Sequence, residues 1–282
     1  MPGALRSAAL QLRAAQRIVR LRGFSVRRGL EQLDGRLVFV VGSPRSGTTF
    51  LAGAIGSLPG FVDLGEVAPL KAAIPALYAD SEEQAARRIR GILTVTRRLS
   101  LVGSRRAIEQ TPETAFVSRA AALAFPQARF VHIVRDGRDV ACSLLERGWL
   151  RAGRGGGDDA GLPYGADARF WVEPERRQEF LAASDARRAA WAWRRYVSAA
   201  RVAPAERLHE LRYEALTADP DGTARDLAGF LGAPANPLAE ALWAARDTSV
   251  GRWARDLTPA DLAEVEEECG ELLLDLGYLR SC

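Results

Sequence analysis

The feature that most constrains the fold of this 282-residue chain is an apolar run that leads directly into a glycine-rich turn. Leu37–Val41 reads Leu-Val-Phe-Val-Val, which is typical of a strand buried on both faces of a parallel sheet. Residues 42–47 read Gly-Ser-Pro-Arg-Ser-Gly and predict a turn, and residues 48–58 fit a helix. Such a loop directs backbone N–H groups and the helix dipole at one point. The sequence therefore predicts an anion-binding loop rather than an ordinary turn.

The chemistry of this loop differs from that of an ATP-binding loop. Gly42 and Gly47 occupy the positions of the two Walker A glycines, but Thr48 stands where that motif requires lysine. The cation of the loop is Arg45, and no strand-terminal acid for magnesium is evident. The loop is predicted to hold a phosphate, although it is a poor kinase loop. A P-loop kinase that uses ATP and a non-catalytic nucleotide-binding module remain the alternatives.

The rest of the chain alternates between strand and helix patterns. Further strands are predicted at residues 61–64, 129–134 and 207–211. Helices are predicted at residues 68–99 with breaks near Pro75 and at 80–81, and at 116–125, 137–147, 185–200, 223–231 and 259–276. This order predicts a single P-loop-like α/β domain with a central parallel sheet covered by helices on both faces. Ligands in such folds bind at the carboxyl ends of the strands.

The first 34 residues are predicted as a basic helical extension of a main domain at residues 35–282. Residues 1–30 hold seven arginines and no acidic residue, with aliphatic side chains between them. A basic amphipathic helix is suited to peripheral contact with an anionic membrane, and packing against the domain is the favoured alternative. Residues 151–165 are rich in glycine and aspartate, and we expect 151–185 to be a mobile loop.

Two segments give the chain a specific family resemblance. Residues 41–50, Val-Gly-Ser-Pro-Arg-Ser-Gly-Thr-Thr-Phe, resemble the 5′-phosphosulfate loop of sulfotransferases that use 3′-phosphoadenosine 5′-phosphosulfate (PAPS). Arginine at the basic position resembles the bacterial and Golgi branches. Residues 130–144 resemble the 3′-phosphate segment of the same family, in which Arg135 at the strand end and Ser143 on the next helix would bind that phosphate. Gly137 departs from the proline usual there.

The resemblance implies a set of nucleotide-binding residues. The loop residues that would hold the phosphosulfate are Ser43, Pro44, Arg45, Ser46, Gly47, Thr48 and Thr49. Two weaker likenesses place Tyr213 near the adenine and make Arg252 and Trp253 part of a segment that closes over the phosphoadenosine. Gln110 departs from the family pattern, because it stands where relatives often have the lysine of Lys-Thr-Pro.

The reaction implied is in-line attack of an acceptor hydroxyl or amine on sulfur, with 3′,5′-adenosine bisphosphate as the product. Arg45 would stabilise charge on the departing phosphate. Glu66, which follows the predicted strand at residues 61–64, is the candidate general base by resemblance to relatives with Gly-Glu at this place. A helix-capping glutamate on the surface is the alternative. His132 and His209 lie within predicted strands and are expected to be core residues.

Composition narrows the remaining functional classes. Three cysteines and two histidines without ligand spacing predict no metal site, and a reducing cytoplasmic location is the simpler interpretation. The net charge of +4 comes with no nucleic-acid recognition motif. The acceptor is expected to be a small molecule, carbohydrate or lipid, and the oligomeric state stays open. An acceptor pocket or lid, or alternatively simple packing, is predicted for the aromatic residues Trp149, Tyr164, Phe170 and Trp171.

Overall fold

The computed structural model describes residues 2–22, 36–150, 172–245 and 247–280. The strands of this part of the chain are β1 Leu37–Val41, β2 Phe61–Gly65, β3 Arg106–Glu109, β4 Arg129–Val134 and β5 Leu208–Arg212. All neighbouring strands run parallel, and their order in the sheet is β2-β3-β1-β4-β5. The loops after the strands therefore leave the sheet at one common edge.

The helices fill the connections between the strands. Their bounds are α1 Pro2–Arg22, α2 Thr48–Gly56, α3 Ala68–Ala79, α4 Glu82–Leu99, α5 Ser118–Ala124, α6 Gly137–Arg147, α7 Arg177–Ala182, α8 Asp185–Ala200, α9 Tyr213–Ala218, α10 Pro220–Leu231, α11 Ala235–Leu242, α12 Trp253–Asp256 and α13 Pro259–Asp275. Short 3-10 segments lie at Pro112–Val117 and Pro174–Arg176. Helix α13 begins where Thr258 accepts a hydrogen bond from the Asp261 amide, as its N-cap sequence predicts.

Helices cover both faces of the sheet, as predicted. Alternate residues of a strand face opposite sides. On one side Phe39 stacks on Phe130 with ring centroids 5.0 Å apart, within a core shared with α3, α4, α6, α8 and α13. On the other side Val40 and Ile133 pack against α2, α10 and α11. Burial on both faces explains why β1 is a continuous apolar run and why β4 is apolar apart from Arg129 and His132.

Strand β3 was not predicted from the sequence. It has only four residues, Arg-Ala-Ile-Glu, and the two apolar residues between charged ends are too few to give a recognisable strand pattern. It lies between β2 and β1, where Ala107 and Ile108 are fully buried and paired on both sides. Tertiary pairing rather than local pattern therefore defines this strand, and it separates β2 from β1.

Two other local predictions were wrong. Helix α3 continues through Pro75, whose neighbours Ile74 and Leu77 are buried while the proline ring is exposed. A proline within a helix costs about 3 kcal/mol, and burial of two such side chains offsets this. Within the predicted loop 151–185, residues 174–182 are helical because Phe180 packs edge-on against Trp191 with centroids 5.3 Å apart. Residues 151–171 lie outside the described part of the chain.

Helix α1 packs on the domain. Ala14, Ala15 and Ile18 are buried against it. Gln11 accepts a hydrogen bond of 2.8 Å from Thr96 of α4. Arg17 reaches the end of β2, as described below. Packing against the domain is therefore the alternative that the described residues favour, while the boundary at residue 34 stays a prediction. Among the described helices none is both long and apolar enough to cross a membrane.

Candidate active site

The loop between β1 and α2 is tight, and its two glycines are needed for different reasons. Gly42 has φ 151°, and a Cβ there would lie 2.5 Å from the Ile133 carbonyl oxygen of β4. Gly47 has φ 98°, and a Cβ there would lie 2.8 Å from a ring carbon of Tyr213. Arg45 adopts φ 74°, a left-handed conformation that is uncommon for a residue with a side chain. The loop is thus held closely between β4 and the buried Tyr213 ring.

The hydroxyl groups of the loop face different surroundings. Ser43 and Ser46 are fully buried, and the Ser43 hydroxyl donates to the Pro44 carbonyl at 3.2 Å. The Ser46 hydroxyl is buried and has no hydrogen-bond partner among the described residues. Thr48 is buried, whereas Thr49 is exposed and donates to the Gln110 side chain at 3.2 Å. Because an unsatisfied buried hydroxyl costs about 1–3 kcal/mol, Ser46 is suited to receive a ligand.

Arg135, at the end of β4, lies beside this loop. Its guanidinium stands 4.9 Å above the Tyr213 ring, and Nη1 donates to the Arg45 carbonyl at 3.4 Å. Arg135 Nη2 donates to the Ser249 carbonyl, while its buried Nε has no hydrogen-bond partner in the described chain. Arg45 in turn donates from Nε to the Ser143 hydroxyl at 2.9 Å. Two arginines and a serine that are distant in sequence therefore converge at the carboxyl ends of β1 and β4.

A carboxylate that the sequence reading missed holds the predicted closing segment. Asp139, which is fully buried on α6, accepts from the Gly251 amide at 2.8 Å and from the Trp253 amide at 3.0 Å. Burial raises the pKa of Asp139, whereas the two backbone hydrogen bonds act to lower it. The Trp253 ring lies 3.8 Å from the Arg138 guanidinium carbon. The repeated Arg-Asp spacing of residues 135–139 was the available signal for this position.

Arg252 is also on this segment, but its guanidinium pairs with carboxylates. Its Nε donates to Asp256 at 2.7 Å, and its Nη2 contacts Glu146 of α6. The segment therefore lies against α6, the helix that carries Ser143. Direct contact of Arg252 and Trp253 with a nucleotide stays a prediction.

Glu66 lies at the same edge of the sheet, but on the far side of β3. Because β3 lies between them, β2 and β1 are separated by two strand spacings, a distance of roughly 10 Å. The Glu66 side chain is 7% exposed, and its Oε2 lies 2.6 Å from Lys71 Nζ. The N-cap of α3 is Val67, with no side-chain cap, so the interpretation of Glu66 as a surface capping residue is wrong. Arg17 of α1 donates to the Glu66 carbonyl at 2.7 Å.

Two further acids surround this position, and sequence reasoning assigned neither. Glu109, at the end of β3, accepts from the Thr111 amide at 2.8 Å and from the Thr114 hydroxyl at 3.0 Å. Burial raises the pKa of Glu109 to about 7, and the nearby charge of Glu66 adds to this. Glu113 lies 3.7 Å from Lys71 Nζ. The ends of β2 and β3 thus form a buried acidic cluster with one ammonium inside it.

Both histidines lie on strands, but only His132 is a core residue as predicted, because His209 is on the edge strand β5. His132 is fully buried, with Nδ1 3.0 Å from Glu210, and burial lowers its pKa. His209 is half-buried and stacks on Phe230 with centroids 5.1 Å apart. Of the predicted acceptor-side aromatics, Trp149 lies 5.3 Å from the Arg45 guanidinium carbon. Tyr164, Phe170 and Trp171 lie outside the described residues.

Comparison with known proteins assigns the family. The model of the sulfotransferase family matches residues 89–237, which is more than half of the chain. The chain belongs to the sulfotransferase family. Its structure resembles the sulfotransferase domain of the curacin biosynthetic pathway, with a TM-score of 0.55 at 14% identity over 88% of this chain and 98% of that one. The sulfotransferase domain of the Synechococcus PCC 7002 olefin synthase gives 0.52 at 15% identity, with the same coverage of both chains. No curated protein matches the sequence.

These structural likenesses show that the sulfotransferase fold extends over most of the chain. The site residues rest on the geometry of this protein. The structure brings together Ser43, Arg45, Ser46, Gly47, Thr48, Arg135, Ser143 and Tyr213 around the ends of β1 and β4. Glu66 stands apart from them, across β3.

Proposed function

We propose that this sulfotransferase transfers a sulfuryl group from PAPS to a hydroxyl or amine of a small-molecule, carbohydrate or lipid acceptor. The observation that carries the proposal is the convergence of Arg45, Arg135 and Ser143 beside the unpartnered Ser46 hydroxyl. Arginine forks suit sulfate and phosphate oxygens. Arginine at position 45 supports membership of the bacterial and Golgi-like branch.

The nucleotide would be held by residues of β1–α2 and β4–α6. When bound, PAPS supplies an activated sulfuryl group on its 5′-phosphate. The loop amides with Thr48 and Thr49 would bind the 5′-phosphate, and Arg135 with Ser143 would bind the 3′-phosphate. The unpartnered Nε of Arg135 and hydroxyl of Ser46 are donors that these anions can satisfy.

Two charged residues would act on the reacting groups. Arg45 would neutralise charge that develops on the departing 5′-phosphate, because it lies within the loop that would hold that phosphate. Glu66 accepts the acceptor proton as general base. The two strand spacings between β2 and β1, roughly 10 Å, would leave room for an acceptor between Glu66 and the phosphate loop. No metal is required in this scheme.

The cellular setting is proposed from weaker observations. Cys142 and Cys269 are buried free thiols, in keeping with a reducing cytoplasm. Within α1, contact with a membrane would use the exposed side, where Leu12 is 55% exposed, because Ile18 is buried against the domain.

The test is calorimetric titration of 3′,5′-adenosine bisphosphate, and separately of ATP with magnesium, into wild type and Arg135→Ala. We expect tight binding of the bisphosphate alone and about 30-fold or greater weakening in Arg135→Ala, since loss of one partner of a buried charged contact costs 2–5 kcal/mol. The control is Arg119→Ala on α5, whose side chain is 65% exposed. Preference for ATP with magnesium would replace the proposal with a kinase. Absence of binding by either would refute it.

A further inference from the structure

Lys71 is the only lysine among the 39 basic residues of the chain. It lies in the first turn of α3, where its amide donates to the Val67 carbonyl at 2.9 Å. Its side chain is only 9% exposed. Ammonium is a compact charge with three freely oriented donors, whereas guanidinium is a planar fork. The single lysine of this chain therefore gives the site a compact cation with freely oriented donors.

The ammonium of Lys71 lies between two carboxylates from different elements. Nζ is 2.6 Å from Glu66 Oε2, on the turn after β2, and 3.7 Å from Glu113 Oε1, on the 3-10 segment after β3. The first distance is a short ion pair, and the second is at the limit of one. A shift of about 1 Å at the end of the lysine chain would exchange these contacts, a range that flexible side chains cover by small torsional changes.

Glu113 is equipped to receive the ammonium. Its side chain is 4% exposed, and Tyr196 of α8 donates to its Oε1 at 3.3 Å. Its Oε2 is buried without a hydrogen-bond partner among the described residues. A buried carboxylate oxygen that lacks a partner is costly, so any additional donor to Glu113 lowers the free energy of the site.

We propose that Lys71 is the positioning residue for Glu66: it holds that side chain as a carboxylate, and passes its ammonium contact to Glu113 when Glu66 takes up a proton. This inference rests on the proposed role of Glu66 as general base. The balance is simple, because the acceptor proton moves to Glu66 and the ammonium keeps all its protons. After the transfer the ammonium of Lys71 pairs with the Glu113 carboxylate, so its charge is not buried beside the protonated, neutral Glu66 alone.

The other charged groups around Glu66 are compatible with this exchange. Arg17 of α1 donates to the Glu66 carbonyl and so holds its backbone in place. Glu109 of β3 has its two oxygens engaged by Thr111 and Thr114. Burial raises the pKa of Glu109 to about 7, so near neutral pH it carries only part of a negative charge. Glu66 and Glu113 both lie within ion-pair distance of Lys71 Nζ.

The experiment is an NMR pH titration of the full chain labelled with ¹³C at the glutamate carboxyl groups, with the Glu66 signal assigned from Glu66→Gln. In Lys71→Met we expect the Glu66 titration midpoint to rise by about one pH unit or more, because a buried carboxylate loses its cation. In Glu113→Gln we expect it to fall, because a neighbouring negative charge is removed and Lys71 no longer divides its contact between Glu66 and a second carboxylate. Lys71→Arg should restore most of the wild-type midpoint.

The control is Arg88→Met, which removes an exposed cation of α4 that pairs with Asp80. It should leave the Glu66 midpoint in place. Lys71→Met leaves two buried acids without their cation and is the variant most prone to unfold, so the opposite shift in Glu113→Gln keeps the proposal testable without it. An unchanged Glu66 midpoint in both folded variants would overturn the role of Lys71.

A second readout separates this inference from the function on which it depends. The pH profile of PAPS breakdown to 3′,5′-adenosine bisphosphate, with water as acceptor, should shift in each variant in the same direction as the Glu66 midpoint. A midpoint that moves while the rate profile stays fixed would remove Glu66 as the base, and Lys71 as its positioning residue. Calorimetric binding of the bisphosphate would still report on the nucleotide site.

Discussion

The two halves of the carboxyl edge of the sheet satisfy their charges in opposite ways. At the ends of β1 and β4, buried donors outnumber their acceptors: the Ser46 hydroxyl and Arg135 Nε have no hydrogen-bond partner among the described residues. At the ends of β2 and β3, acids dominate, and the ammonium of Lys71 pairs with Glu66. The first half is suited to a polyanion, and the second is suited to moving a proton.

This difference indicates how the two halves are built. The donor-rich half is fixed by backbone geometry, because Gly42 and Gly47 let the loop approach β4 and Tyr213 closely. The acidic half is fixed by side chains from α1, α3, β3 and α8. Rigid backbone is the better support for binding a constant nucleotide. Paired side chains in a buried site respond more strongly to pH, since their charges are coupled.

The largest expected effect breaks the donor-rich half. Gly47→Ala places a Cβ 2.8 Å from the Tyr213 ring and forces alanine to φ 98°. We expect loss of 3′,5′-adenosine bisphosphate affinity by about 100-fold or more, because the amides of the loop move apart. The matched control is Gly53→Ala in α2, which has no atom within 4 Å of the added Cβ and should stabilise the helix by up to about 1 kcal/mol. Equal affinity in the two variants would contradict the importance of the tight loop.

The second prediction concerns the acidic half and its pH dependence. Burial raises the pKa of Glu109 from 4.5 to about 7, so between these values the folded protein keeps a proton that the unfolded chain releases. The free energy of unfolding therefore falls as pH rises through that window, by roughly 3 kcal/mol at most. Urea unfolding of wild type and Glu109→Gln at pH 5 and pH 8 measures this. Wild type should lose more stability than the variant over the interval.

The control for this titration is Glu240→Gln, an exposed position on α11. It should reproduce the wild-type pH dependence. If Glu109→Gln and wild type instead lost the same free energy of unfolding between pH 5 and pH 8, the titration of Glu109 would not be the source of the pH dependence that we assign to the acidic half. The affinity for 3′,5′-adenosine bisphosphate should change little in either variant, since Glu109 belongs to the acidic half of the edge and the nucleotide would bind to the donor-rich half.

The same contrast explains what the sequence could predict. The loop at residues 42–49 and the strand-to-helix turn at Arg135 are contiguous, so strand pattern, glycine spacing and charge all lie within one short segment. The parallel sheet with helices on both faces followed from the alternation of elements. Four-residue β3 was missed because its pattern is too short and its pairing is entirely tertiary.

The acidic half was only partly accessible from the sequence. Glu66 was identified through family resemblance and its place after a strand, and its catalytic role stays a prediction. Lys71, Glu113 and Tyr196 gain meaning only when α3, the 3-10 segment and α8 pack together. Asp139 was missed for a similar reason, since its partners are amides more than a hundred residues away in the chain.

The smallest expected effect concerns the contact that joins the two halves. Thr49 of α2 donates to the Gln110 side chain at 3.2 Å, and Gln110 follows β3. Both side chains are uncharged, so a neutral hydrogen bond joins the two halves. A double-mutant cycle of Thr49→Val and Gln110→Met should give a coupling of about 1 kcal/mol in urea unfolding, the usual net value of such a bond. Thr49→Ser, which keeps the hydroxyl, should retain most of it. A coupling near zero would mean that the sheet alone holds the donor-rich half and the acidic half in place. A coupling of several kcal/mol would indicate that the two halves form one cooperative unit, in which destabilising one half destabilises the other.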